Sequence, residues 1–166
     1  MSIPSPRTPS SKTEGALEGI TVIELCGARG HFMGKLMGDM GARVIKIEPM
    51  GGSAERQIGP FMDDEPHPDR SLYFWSHNTS KESLEINIED SEGQKVIKAL
   101  ASTADVVLED FAPGYLPSLG LGYRDLSDKN QRLVMTSLTA FGQDGPYRDY
   151  KSPDIVALAM GGIMHS

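Results

Sequence analysis

Residues 19–52 read GITVIELCGARGHFMGKLMGDMGARVIKIEPMGG, and their pattern decides the fold. An almost unbroken apolar run, Ile20–Leu25, stops at Cys26-Gly27-Ala28-Arg29-Gly30. Phe32, Met33, Leu36, Met37 and Met40 then recur at three- and four-residue spacing, which predicts a helix with those side chains on its buried face. Gly41 falls where a helix end calls for a positive φ. A second apolar run, Val44–Ile47, closes at Glu48-Pro49, where proline ends a strand. Strand, glycine turn, helix and strand in so few residues make one βαβ unit, and parallel strands need helices over the sheet faces. The fold class is therefore α/β, an open and mostly parallel sheet. Ligands of such sheets sit beyond the carboxyl ends of the strands, which directs attention to Cys26–His31.

The flanking sequence repeats the theme. Residues 1–15 are rich in Ser and Pro and lack a signal peptide's apolar core, so they are expected to be a disordered tail, with residues 16–166 forming the folded part. Residues 51–70 show no periodicity and predict a long loop, the kind that carries function or covers something. The aromatic cluster in Ser71–Asn78 predicts core or subunit interface. Ser83–Ile88 alternates as a half-buried strand does, with Leu84, Ile86 and Ile88 inward. Ser91 with Gln94 fits a capping box, followed by an apolar helix face at Val96, Ile97, Leu100 and Ala101. Ala104–Leu108 is another buried strand, Leu116–Leu126 predicts only short helical pieces, and Arg132–Leu138 is a further parallel strand. Asp154–Met160 starts a helix that ends at Gly161-Gly162. A doubly wound sheet seldom finishes in an apolar helix with no partner strand, so the chain is expected to be truncated at its C-terminus.

Composition narrows the function. With 166 residues, 39% hydrophobic and 23% charged, the chain is an ordinary globular domain. Its net charge of −7 argues against nucleic acid as a partner, and no apolar run is long enough to suggest a membrane span. A single cysteine fits a reducing cytoplasm. Arg29, Lys35, Arg43, Lys46 and Arg56 outnumber the acids Asp39, Glu48 and Glu55, a local excess that suits either a phosphorylated ligand or a solvated surface.

The residues themselves bear on several chemistries. Glu48 lies where the ribose-binding acid of a dinucleotide site would be, yet Gly27, Gly30 and Gly34 spell G-x-x-G-x-x-x-G rather than G-x-G-x-x-G. No P-loop spacing follows the glycines, and the four histidines are too scattered for a metal site. Cys26 is a candidate nucleophile if Arg29 or the helix N-terminus lowers its pKa, and otherwise a small core residue. His31 is a candidate acid or base, or else a capping or surface residue, and Lys81 and Lys151 are candidate phosphate contacts.

Taken together, LEGITVIEL at Leu17–Leu25, GDMGARVIKIEP at Gly38–Pro49, N-x-x-K at Asn78–Lys81, ADVVLEDFAPG at Ala104–Gly114, LGLGYRDL at Leu119–Leu126 and FGQDGPYRDY at Phe141–Tyr150 resemble the class III CoA-transferases, the CaiB/BaiF family. The resemblance implies a Rossmann-like N-terminal portion of an enzyme that moves coenzyme A from an acyl-CoA to a carboxylic acid acceptor. The family's route is an aspartate that attacks the thioester and passes through an anhydride and an aspartyl-CoA thioester. That aspartate is expected beyond Ser166, so no catalytic residue is nominated here and the chain alone is expected to be inactive. Position by position, the resemblance places coenzyme A contacts at Ala28, Arg29, Ile86, Asp110, Phe111 and Lys151. It implies acyl-CoA as substrate with no tightly bound cofactor and no metal, and an interlocked homodimer in the full-length form. The chain departs from the family at Gly30-His31, where Gly-Pro is usual, at Asp110, where Asn is common, and at Glu82 and Ser118, where basic residues occur. An NAD-dependent oxidoreductase domain and a non-catalytic coenzyme A-binding subunit are the alternatives.

Overall fold

The computed structural model describes residues 15–165. Five parallel strands form one sheet: β1 (Thr21–Leu25), β2 (Arg43–Glu48), β3 (Lys81–Glu85), β4 (Val106–Glu109) and β5 (Val134–Ser137). Their spatial order is β3-β2-β1-β4-β5. The chain thus winds outward from β1 to β3, then returns to the other side of β1, and the order reverses between β1 and β4. Six helices accompany the strands among the described residues: α1 (His31–Asp39), α2 (Leu72–Asn78), α3 (Ser91–Ala101), α4 (Tyr115–Ser118), α5 (Tyr123–Ser127) and α6 (Asp154–Met160). None is long and apolar enough to cross a membrane.

Alternation along the strands sorts the core into two layers. Ile23, Leu25, Ile45, Ile47 and Val107 meet Ile97 and Ala101 of α3, Leu116 of α4 and Leu126 of α5 on one face. Val22, Cys26, Val44 and Leu108 meet Met33 and Met37 of α1 on the other. Apolar residues on both faces explain why β1 and β2 read as continuous runs. Glu24, Lys46 and Glu48 interrupt the α1 layer and are nonetheless buried.

The α1 face differs from expectation. Phe32, Leu36 and Met40 are exposed by 52%, 46% and 44%, while His31 and Gly34 are buried. Gly30, Gly34 and Gly38, four residues apart, form the ridge that approaches the sheet. A Cβ on Gly34 would lie 1.7 Å from Glu24 Oε2, and one on Gly38 would lie 2.9 Å from the Ser80 carbonyl oxygen. The irregular glycine spacing therefore serves close helix–sheet approach. Gly41 does follow the helix with φ +102.

Other expectations shift in detail. β3 begins at Lys81 rather than Ser83, and as an edge strand it leaves Leu84 39% exposed, while Ile86 is buried just past its end. The proposed capping box at Ser91 does not form. Asp90 is the N-cap without a side-chain cap bond, and the Gln94 amide donates to the carbonyls of Ile88 and Glu89, each at 3.3 Å. The aromatic cluster is α2, capped by Ser71 Oγ accepting from Phe74 N–H at 3.0 Å, with Phe74 inward and Trp75 outward. Residues 51–70 are an ordered loop of three short 3₁₀ turns. Of the expected N-terminal tail, residues 1–14 lie outside the described residues.

Candidate functional site

The turn leaving β1 is fixed at both ends and in the middle. Lys46 Nζ donates to the Cys26 carbonyl at 2.6 Å, and Lys81 Nζ donates to the His31 carbonyl at 2.6 Å. Both ammoniums pair with the buried Glu24 carboxylate, Lys46 at 3.1 Å and Lys81 at 2.7 Å. Asn78 Oδ1 also accepts from Lys81 at 2.8 Å, so the N-x-x-K motif is a brace between β3, α2 and the turn. Between these anchors Asp110 accepts from the Gly27 N–H at 3.0 Å on each oxygen and from the Gly30 N–H at 3.2 Å. Lys81 is spent within the protein and is corrected from phosphate contact to structural residue.

Cys26 is the small core residue of the two readings, and His31 is buried rather than at the surface. Burial, then the charge of Asp110, pushes the Cys26 thiol well above its ordinary value, so the thiolate a nucleophile needs is disfavoured. Burial lowers His31 to about 4, helped by His77, Lys46 and Lys81. Its ring stacks on His77 with centroids 4.4 Å apart. Between pH 6.5 and 4 the unfolded chain binds a proton at His31 that the folded chain refuses, so stability falls as pH falls through that window. Glu48 extends the trend. Burial alone would raise its carboxyl, but hydrogen bonds from Arg56, Ser83 and Ser53 hold it well below the carboxylate range, so its stabilising contribution is lost below about pH 4.5. Thermal melts are expected to show Tm dropping steadily from pH 7 to pH 5 and faster below; a flat or rising Tm over that range would contradict the assignment.

Glu48 is not a ribose ligand either. Arg56 holds it through two nitrogens at 2.7 Å, Ser53 N–H at 2.8 Å and Ser83 Oγ at 2.5 Å. Arg56 also lies over the Phe74 ring at 3.9 Å and pairs with Asp69 at 3.2 Å, which ties the 51–70 loop to the sheet. The basic excess dissolves on the same inspection. Lys35 pairs with Asp39, Arg43 with Glu82, Lys46 with Glu24 and Arg56 with Glu48, leaving Arg29 as the cation of that group with no acidic partner among the described residues.

Among the hollows that open beyond the carboxyl ends of the strands, three share one wall. A cleft of about 780 Å³ is bordered by Arg29, Phe111, Thr139, Arg148, Tyr150 and Lys151. A smaller, mostly apolar one of about 390 Å³ is bordered by Leu25, Ile47, Ile86, Ile88, Phe111 and Tyr115, together with Glu48 and Glu89. The third, about 240 Å³, contains Cys26, Gly27, Glu55, Asp110 and Phe111. Phe111 is a wall of all three, and its N–H is fixed by Glu109 Oε2 at 2.9 Å. Five of the six nominated contacts thus gather around one ring: Arg29 and Lys151 in the large cleft, Ile86 in the apolar one, Asp110 in the third, and Phe111 itself. Ala28 stands exposed on the turn beside Arg29, outside the three hollows.

Arg148, Tyr115 and Glu109 escaped the sequence reading. Arg148 lies two residues after Gly145-Pro146, and its signal was the density of charged and aromatic residues in GPYRDYK. Glu109 follows the expected strand Ala104–Leu108; it is buried and orients Phe111.

Comparison with known proteins matches this arrangement to one family. The profile of CoA-transferase family III covers residues 17–166. The chain is 38% identical over 159 residues to acetyl-CoA:oxalate CoA-transferase of Acetobacter aceti, covering 95% of this chain and 40% of that protein. It is 40% identical over 152 residues to succinyl-CoA:glutarate CoA-transferase of Homo sapiens, covering 90% of this chain and 34% of that protein. The crystal structure of a CaiB/BaiF family protein from Brucella suis superposes with a TM-score of 0.82 at 35% identity, over 91% of this chain and 40% of that one. The chain therefore spans well under half the length of the relatives it matches. With the family profile matched over residues 17–166 and relatives more than a third identical over about nine-tenths of its length, the chain belongs to CoA-transferase family III.

Proposed function

We propose that this chain forms the coenzyme A-binding layer of an enzyme that transfers coenzyme A from an acyl-CoA to a carboxylic acid. The observation that carries the reading is the meeting of basic and apolar clefts at Phe111, beyond the carboxyl ends of the strands. A ligand with a phosphorylated nucleotide at one end and an apolar arm at the other suits that pair of surfaces.

In the route implied by the family resemblance, a carboxylate attacks the thioester carbonyl and expels the coenzyme A thiolate, leaving a mixed anhydride. The thiolate then attacks the enzyme's side of the anhydride, releasing the first acid and forming an enzyme thioester. The acceptor carboxylate repeats the exchange in reverse order. Three of the acids beside the hollows are already engaged: Glu48 by Arg56, Glu109 by the Phe111 N–H, and Asp110 by the Gly27 and Gly30 amides. On the family resemblance the nucleophile is assigned to residues outside this chain, and the assembled enzyme to a dimer in the cytoplasm.

Calorimetric titration tests the binding role. Coenzyme A is expected to bind saturably and NAD(H) not at all; saturable NAD(H) binding without preference for coenzyme A would favour an oxidoreductase domain instead. Mixed with acyl-CoA and a carboxylate, the chain alone is expected to give no detectable exchange, and appreciable turnover would refute the assignment of the nucleophile.

A further inference from the structure

The N–H groups at the start of a helix after a β-strand form a cup that commonly receives a phosphate. In this chain the cup is already filled. Both Asp110 oxygens lie 3.0 Å from the Gly27 nitrogen, and Oδ2 lies 3.2 Å from that of Gly30. The turn has no slack around this contact, since a Cβ on Gly30 would lie 2.5 Å from Cys26 Sγ. A second acid, the buried Glu55, stands beside the half-buried Asp110, with its Oε1 3.0 Å from where a Gly27 Cβ would be. Two carboxylates at one small hollow repel an incoming phosphate.

The neighbouring large cleft has the opposite character. Arg29, Arg148 and Lys151 border it, and Asp149, 3.4 Å from Arg148 Nε, is the acid on its rim. The Thr139 hydroxyl, on the same wall, is buried without a hydrogen-bond partner among the described residues.

We propose that Asp110 is a resident anion, a positioning residue that fills the amide cup and holds Ala28 and Arg29 in place, while Arg29, Arg148 and Lys151 receive the phosphates of the ligand. This rests on the coenzyme A reading above. The phosphate site is thereby shifted from the backbone amides of the helix start to the side chains of Arg29 and of the segment after β5.

Backbone amide signals of the 18.0 kDa chain report both places at once, with inorganic pyrophosphate and coenzyme A as separate probes. In the wild type, both probes are expected to shift Arg148 and Lys151 and to leave Gly27 and Gly30 unmoved. Arg148→Ala and Lys151→Ala are each expected to weaken coenzyme A binding by about tenfold. In Asp110→Ala, pyrophosphate is expected to shift Gly27 and Gly30. In Asp110→Asn, which keeps one acceptor oxygen, coenzyme A affinity is expected to return to within about threefold of wild type, a rescue that loss of charge alone would not give. Pyrophosphate shifts at Gly27 and Gly30 in the wild type would overturn the proposal. So would coenzyme A binding that survives Arg148→Ala and Lys151→Ala unchanged, and that result leaves the coenzyme A reading standing. If pyrophosphate behaves as expected but coenzyme A fails to bind the wild type, the coenzyme A reading falls and the two anion assignments stand. The arginine and lysine variants decide the matter even if the Asp110 variants fold poorly.

Discussion

Glu24→Ala is expected to leave the chain largely unfolded in mild urea. The carboxylate is wholly buried and serves as counter-charge to Lys46 and Lys81, whose side chains are 1% and 2% exposed. Removing it strands two ammoniums in the protein interior, a change that typically costs about 3–5 kcal/mol. Domains of this size have only about 5–15 kcal/mol in total. The loss also reaches the turn after β1, because those ammoniums hold the carbonyls of Cys26 and His31. Urea denaturation of Glu24→Ala beside a triple variant with apolar residues at 24, 46 and 81 separates charge from packing. The triple variant is expected to recover much of the lost stability, since a well-packed apolar set often equals a buried ion network. A Glu24→Ala loss under about 1 kcal/mol would show that the ammoniums reach water or lose their protons at little cost.

Gly34→Ala is the second large effect, and its sign is diagnostic. At an uncrowded helical position alanine is favoured over glycine by about 1 kcal/mol. Here the new methyl group would sit 1.7 Å from Glu24 Oε2 and 2.9 Å from its Cδ. Either α1 lifts from the sheet or the carboxylate swings away from its ammoniums. Overpacking typically costs about 1–3 kcal/mol, and disturbance of the ion network adds to it, so a net loss of about 3 kcal/mol or more is expected. A thermal melt that rises for Gly34→Ala would mean that α1 stands farther from β1 than described.

The same two residues show what could be read from the sequence and what could not. β1, α1 and β2 were legible because both sheet faces are covered and the apolar runs are continuous, a local signal. Which side of α1 turns inward was not, because the methionines, leucine and phenylalanine of that helix outnumber its glycines in any hydrophobic pattern. Close approach decided the matter, and glycine leaves no hydrophobic trace. β3 was displaced toward Lys81 because the pull on that lysine comes from Glu24, 57 residues earlier. The ordered 51–70 loop depends on Glu48 and Arg56 finding each other across the chain, which its irregular local pattern does not announce. Around the candidate site, the family resemblance brought five of the six nominated residues to hollows that share Phe111. Arg148 was missed because it is one charged residue in a segment full of them, and its distinction is spatial.

The shared wall at Phe111 carries a thermodynamic consequence. A single ring that bounds neighbouring hollows cannot adjust to one guest without reshaping the room left for another. Fragments occupying the apolar and the basic hollows would therefore sense each other, and by linkage the influence must be equal in both directions. A molecule spanning both would gain or lose affinity through the ring's posture as well as through its own contacts, so the whole ligand's binding free energy should depart from the sum of its two ends.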